Sequence, residues 1–421
     1  MWLIGFVVLI LGVLISVALH ELGHLIPAKK FGAAVPEYWI GFGPKLWKTK
    51  YKGTTYGIKA VLLGGYVRII GMFPPTRSGQ RMTKANGQPT MAEEARRQSQ
   101  ADIQEARRSG VPGVPFYQLT TPQKLVVMTG GPLMNLLLCF LIVATILLGF
   151  GWQAPSTTIE SIVNDETPSP AAVAGILPGD TVLSWGGSEV ESWDQLRSLI
   201  QDTPESGAVV ELQRSDGQTD AVTVVPDIND DGERSIGIVS QLQRERGDLS
   251  DVGRVVWTQF TGTVAAVAAL PVSLYEMARS FVTGEERDPN GVVSIVGVAR
   301  IAGQITSPDS LSQEQTTASG TVTVAPSFED RVVMMLSLLA SLNMALFVFN
   351  LIPLPPLDGG HVAGALYGGA KNVVAKLRGK PKPAPADTAR LMPLTYGVFI
   401  ALMAMTVILV LADIVNPVTI L

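Results

Sequence analysis

The sequence predicts a polytopic α-helical membrane protein with four transmembrane helices, a membrane-associated β-hairpin and an inserted soluble α+β domain. Three observations carry this expectation. Hydrophobic residues make up 47% of the 421 residues and the mean hydropathy is +0.30, too apolar for a purely soluble chain. Uncharged runs long enough to span a bilayer recur near residues 1–28, 125–152, 331–360 and 391–413. Charge between the runs is segregated by sign. Residues 29–124 carry 16 Lys or Arg against 5 acids, whereas residues 151–330 carry 9 Arg, no Lys and 27 acids. Because cytoplasmic loops retain basic residues, the first region is expected inside and the second outside, with the amino terminus facing out.

Residues 1–28 form the first span. The stretch lacks the basic start of a signal peptide, and cleavage would discard the histidines at its end, so an uncleaved helix is expected. In the cytoplasmic region 29–124, residues 56–72 read as two short apolar strands about Gly64-Gly65, a hairpin at the membrane. Residues 90–108 read as a polar helix opened by a Thr90/Glu93 capping box and ended at Gly110, its charges a solvated face. The second span, 125–152, opens with Gly130-Gly131-Pro132. Asn135 follows one turn later, placed to bond a neighbouring helix or to support a site.

Residues 157–240 form the soluble domain, with strands at 208–213 and 221–225 and a helix at 192–201. In the region 251–330, the apolar run of 251–283 is interrupted by Pro271, Glu276 and Arg279, which predicts an amphipathic helix lying on the outer face. The Ser/Thr-rich 307–326 reads as a linker. The third span, 331–360, ends among prolines that break a helix, so Asp358 is expected on unwound backbone. Residues 361–390 follow as a cytoplasmic segment, with 6 Lys or Arg against one acid over 371–390, and 391–413 is the fourth span.

The chemistry concentrates at HELGH, residues 20–24. His20 and His24, four apart, share one helix face and can hold one zinc ion, with Glu21 placed to deprotonate a water there. With three histidines in the chain, this pattern arises by chance in on the order of one such sequence in a thousand. A catalytic zinc takes three protein ligands and keeps one position open. The single cysteine, Cys139, lies in an apolar run and offers neither a disulfide framework nor a thiolate cluster. The four-span topology brings His20, His24 and Asp358 to the cytoplasmic ends of their helices, so Asp358 is the expected third ligand and His361 the alternative. No basic aromatic surface suggests nucleic acid.

HELGH on a first membrane helix, GGPLMN opening a second and NLIPLPPLDGG after a third resemble the bacterial site-2 protease family of intramembrane zinc metalloproteases. Residues 169–196, SPAAVAGILPGDTVLSWGGSEVESWDQL, resemble a PDZ domain, which bacterial members carry between their second and third membrane helices. The resemblance implies zinc ligands His20, His24 and Asp358, a general base Glu21, and Asn350 assisting substrate binding or transition-state charge. The 56–72 hairpin is similar to the family's membrane-reentrant β-loop, which implies that it guides an unwound substrate strand. Implied substrates are single-pass membrane proteins, such as anti-sigma factors trimmed first by another protease and then cut in the cytoplasmic membrane. The PDZ domain would be extracytoplasmic and the active site toward the cytoplasm. The chain departs from many bacterial members at Gly291-Val292-Val293-Ser294-Ile295, where a Gly-Pro pair is usual. Two rivals are weighed. A prenyl-protein protease type would take its third ligand from a later Glu, and no Glu follows Glu329. A PDZ-bearing membrane scaffold would carry an inactive metal site, against which the intact His, Glu and Asp set argues.

Overall fold

Membrane-length apolar runs fold as helices because hydrocarbon offers backbone amides no partner and a helix supplies its own. The computed structural model describes residues 2–77, 82–163, 168–228, 232–283, 293–307, 313–317, 320–324, 326–381 and 383–415. Along the chain run α1 (Trp2–Lys30), β1 (Glu37–Tyr51), β2 (Thr54–Arg68), α2 (Met91–Arg108), α3 (Thr121–Ala144), β3 (Trp152–Ile162), α4 (Pro170–Val173), β4 (Thr181–Trp185), β5 (Ser188–Glu189) and α5 (Trp193–Gln201). Then come β6 (Ala208–Gln213), β7 (Thr219–Val224), β8 (Asp227–Ile228), β9 (Arg234–Ser235), β10 (Ile238–Glu245), α6 (Leu249–Thr283) and α7 (Ile295–Thr306). Last are β11 (Gln313–Thr317), β12 (Gly320–Val324), α8 (Phe328–Asn350), α9 (Asp358–Leu377) and α10 (Met392–Val415). Two units result: Met1–Thr145 with Leu249–Ser312 and Ala325–Leu421, and Ile146–Asp248 with Gln313–Val324.

In the first unit α1 and α3 meet at two glycines. A Cβ on Gly23 would strike the Gly130 carbonyl, and one on Gly130 would strike the Gly23 carbonyl, so the backbones approach as only glycine permits. Between α1 and α8 the buried Asn343 amide donates to the Ser16 hydroxyl at 3.0 Å. Among the described residues five helices are long and apolar enough to cross a membrane, one more than the four expected. The addition is α6, which continues as one helix through Pro271. It packs on α3, where the Cys139 thiol donates to Gln259 Oε1 at 3.3 Å, and on α8, where the Phe260 and Phe347 rings lie 6.1 Å apart.

The hairpin departs from the sequence expectation of 56–72. The turn falls at Lys52-Gly53, with both residues at positive φ, and the partner strand is upstream, β1. Gly64 and Gly65 sit inside β2 as an irregularity, so β2 folds back on β1: residues 37–40 pair with 65–68 on one side and with 55–58 on the other. Among the described residues the outer edge of 65–68 pairs with no strand.

The helix expected at 90–108 forms as α2, with the Thr90 hydroxyl accepting from the Glu93 N–H, but its charges are not simply solvated. Glu93 and Arg96 are buried, and Arg96 Nη2 meets Asp387 Oδ2 at 2.6 Å, tying α2 to the segment before α10. The Thr76 hydroxyl and the guanidiniums of Arg97 and Arg96 hold the Glu93 carboxyl below its usual range. Truncating one partner of such a buried pair costs about 3–5 kcal/mol, because the other charge is left without compensation.

Gly291 and Val292 lie outside the described residues. Ser294 caps α7, and the buried Asp413 carboxylate of α10 accepts from the Ser294 and Gly297 N–H groups at 2.6 and 3.1 Å. The expected linker 307–326 contains β11 and β12, paired antiparallel, with residues 308–312, 318–319 and 325 outside the description. The third span is helical only to Asn350. Residues 351–357 are irregular as expected, but Asp358 opens a new helix, α9, that fills much of the expected cytoplasmic segment.

The second unit is an antiparallel sheet in the order β10-β3-β4-β6-β7, with β5 on β4 and α5 packed against it. The expected strand at 208–213 is β6, and the expected helix is α5, with Ser192 as its cap. Alternation buries Val210 and Leu212 on one face of β6 against Leu196 of α5, each contributing about 1.5–3 kcal/mol. The sheet begins at Trp152 and ends at Glu245, wider than the expected 157–240.

Candidate metal centre

Helix α1 carries Ser16, His20 and His24 along one face, because residues four apart project over one another. The unit brings Asp358, the first residue of α9, to the two imidazoles. His20 Nε2 lies 3.2 Å from His24 Nε2, and Asp358 Oδ2 lies 3.4 and 3.3 Å from those nitrogens. Among the described residues these three side chains are the one group of His, Cys, Asp or Glu whose ligand atoms all lie within 4.8 Å.

The residues fit a tetrahedral metal. Bond lengths of about 2.0–2.1 Å place the ligand atoms of a tetrahedron about 3.3 Å apart, the separation found here. Asp358 Oδ2 is buried without a hydrogen-bond donor, which a metal would compensate. His24 Nδ1 lies 2.8 Å from the Val127 carbonyl. A carbonyl can only accept, so Nδ1 carries the proton and Nε2 presents its lone pair.

These groups line an open cavity of about 510 Å³, together with Glu21, Asn350, His361 and residues 66–69 of the hairpin edge. His20, Glu21, His24, Asn350, Asp358 and His361, the residues expected to bind metal or act on substrate, therefore line one cavity. Glu21 stands outside the ligand triangle, and the Val67 backbone N–H is directed at its carboxylate from the free edge of β2. His361 lines the wall one turn along α9 from Asp358 but is not part of the triangle.

Gly131 is legible in the sequence only as part of the motif that opens the second span, and the Val127 carbonyl not at all. A Cβ at Gly131 would overlap the His24 imidazole, so this glycine makes room for a ring of the triangle. Gly131→Ala is therefore expected to displace His24 and lower zinc retention about 10–100-fold, read by competition with a chelator, with little change in helix content. The spacing held a signal: Gly131 lies four residues before Asn135, on the face that meets α1.

Two imidazoles, a carboxylate and a separate glutamate on a membrane-length helix are the donor set of a metallopeptidase. The chain belongs to Peptidase family M50, the site-2 proteases, whose sequence pattern matches residues 8–389. It is a metalloprotease. It is 30% identical to "Zinc metalloprotease Rip1" of Mycobacterium tuberculosis (strain ATCC 25618 / H37Rv), over 99% of both chains. It is 28% identical to "Zinc metalloprotease Rip1" of Mycolicibacterium smegmatis, over 99% of this chain and 98% of the other. "Metalloprotease MmpA" of Caulobacter vibrioides is 27% identical over 87% of each. Among solved structures, the PDZ domain of the SdrC-like protein from Listeria innocua covers 22% of this chain and 99% of its own, at 19% identity. Its TM-score of 0.18 is too low to bear on the fold.

Proposed function

We propose that this protein is an intramembrane zinc metalloprotease that cuts transmembrane segments of single-pass proteins, anti-sigma factors among them, after another protease has trimmed them. The observation that carries the reading is the convergence, in one cavity within a bundle of apolar helices, of the three ligand atoms, Glu21 and an unpaired strand edge.

His20, His24 and Asp358 hold the zinc. Zinc bound there would supply Lewis acidity toward the scissile carbonyl and a water. Glu21 takes a proton from the attacking water and delivers it to the leaving amine. Asn350, at the end of α8 on the cavity wall, donates to the carbonyl oxygen as negative charge develops.

A helical substrate hides its amides in its own hydrogen bonds and must unwind before it is cut. The free edge at residues 65–68 takes the unwound segment as an added strand and lays it along the cavity. The protein lies in the cytoplasmic membrane, and the charge distribution supports four crossings with the metal site toward the cytoplasm. In that arrangement the Lys-free second unit, a PDZ domain, is extracytoplasmic and screens substrates by the size of their outer portion.

The test is cleavage in liposomes holding the purified protein and a single-pass substrate without a bulky outer domain. Product masses are expected to place the cut inside the substrate's membrane segment. A cut confined to a soluble portion would contradict the reading. Deleting residues 157–240 is expected to leave zinc binding unchanged and to permit cutting of untrimmed substrates. A zinc-replete deletion variant that cuts neither trimmed nor untrimmed substrate would make the domain part of catalysis.

A further inference from the structure

The ligand triangle leaves one requirement open: what holds His20 in the tautomer that binds metal. A neutral imidazole carries a single N–H, so a ring that offers Nε2 to the triangle must carry its proton on Nδ1. For His24 the Val127 carbonyl receives that proton. His20 Nδ1 faces a side chain instead, the Asn135 carboxamide of α3, whose Nδ2 lies 3.1 Å away. Asn135 is fully buried, and its Oδ1 has no hydrogen-bond partner.

An amide turned by 180° about its last side-chain bond occupies nearly the same space with nitrogen and oxygen exchanged. With the nitrogen toward His20, the amide would require a lone pair on Nδ1, forcing the proton onto Nε2, the atom that meets His24 and Asp358. With the oxygen toward His20, it accepts the Nδ1 proton and frees Nε2, and the amide nitrogen takes the buried position opposite. We propose that Asn135 is a positioning residue: its side-chain oxygen accepts the Nδ1 proton of His20 and sets that ring's metal-binding tautomer and orientation.

The rest of α3 is arranged to permit this. The Gly23–Gly130 contact draws the α1 and α3 backbones together, Gly131 admits the His24 ring, and Asn135 follows one turn later at the level of His20. One helix thereby holds both histidines from behind, with a main-chain carbonyl for one and a side-chain amide for the other. Such outer partners typically change metal affinity by about 10–100-fold.

The inference rests on the ligand set proposed above, and the test separates the two. Zinc retention is measured by chelator competition on the full-length protein in detergent for wild type, His20→Ala, Asn135→Leu and Asn135→Asp. Leucine keeps the branched shape of asparagine without an acceptor, and aspartate restores one. Asn135→Leu is expected to give up zinc about 10–100-fold more readily, and Asn135→Asp to hold it at least as tightly as wild type. If the leucine variant does not fold, Asn135→Ala takes its place. Loss of zinc to the same degree in the leucine and aspartate variants would reduce Asn135 to packing and overturn the inference, as would full retention in Asn135→Leu. Retention in His20→Ala would instead overturn the ligand set. With three histidines in the chain, imidazole 15N spectra of the zinc-loaded protein give a second reading. His20 is expected to show a protonated Nδ1 whose resonance moves in Asn135→Leu, and an unprotonated Nδ1 in wild type would contradict the inference.

Discussion

Glu21→Gln is expected to keep one zinc per chain and the fold of the wild type while peptide cleavage falls about 100- to 10,000-fold. The amide preserves the shape of the side chain and its place in the cavity beside the ligand triangle, but it cannot take a proton from water. Cleavage of a single-pass substrate and zinc content are measured on the same preparation. A Gln variant that cleaves at the wild-type rate would remove Glu21 from the chemistry. One that loses zinc would place it among the ligands.

Asp358→Ala is expected to lower zinc affinity by more than the about 10–100-fold typical of outer partners, whereas His361→Ala leaves it nearly intact. The contrast follows from helix geometry. Asp358 opens α9 and turns Oδ2 to within 3.4 Å of both imidazoles, while His361, three residues later, lines the wall outside the triangle. Zinc titrations of the two variants decide between them. Metal retention that depends on His361 and not on Asp358 would reverse the ligand assignment.

The parts of this site legible in the sequence are those fixed by local spacing. HELGH places two rings on one face through the helical repeat alone, and the prolines after α8 announce a break before Asp358. The capped end of α2 was legible for the same reason, since Thr90 bonds the N–H group three residues on. What escaped depends on partners distant in sequence. Turn chemistry at Gly64-Gly65 suggested a hairpin there, yet the free energy lies in pairing β2 with the upstream strand β1, which Lys52-Gly53 connects. The charges of α2 read as a solvated face because Asp387, the partner that allows Arg96 to be buried, lies 291 residues away. Gly131 carries no chemistry of its own, and its role is visible only once the His24 ring is seen to fill the space a methyl would take. The chain brings ligand, base and substrate edge together by tertiary packing, whereas each motif taken alone specifies only its own turn of helix or strand.

The most direct measurement is X-ray absorption at the zinc edge on the purified, full-length Glu21→Gln protein. The account predicts one zinc per chain, bound by two imidazole nitrogens and a carboxylate oxygen at about 2.0–2.2 Å. Three imidazoles would draw in His361, the chain's remaining histidine, in place of Asp358 and contradict the assignment. Protein purified without chelators that binds no zinc at all would contradict the metal centre itself.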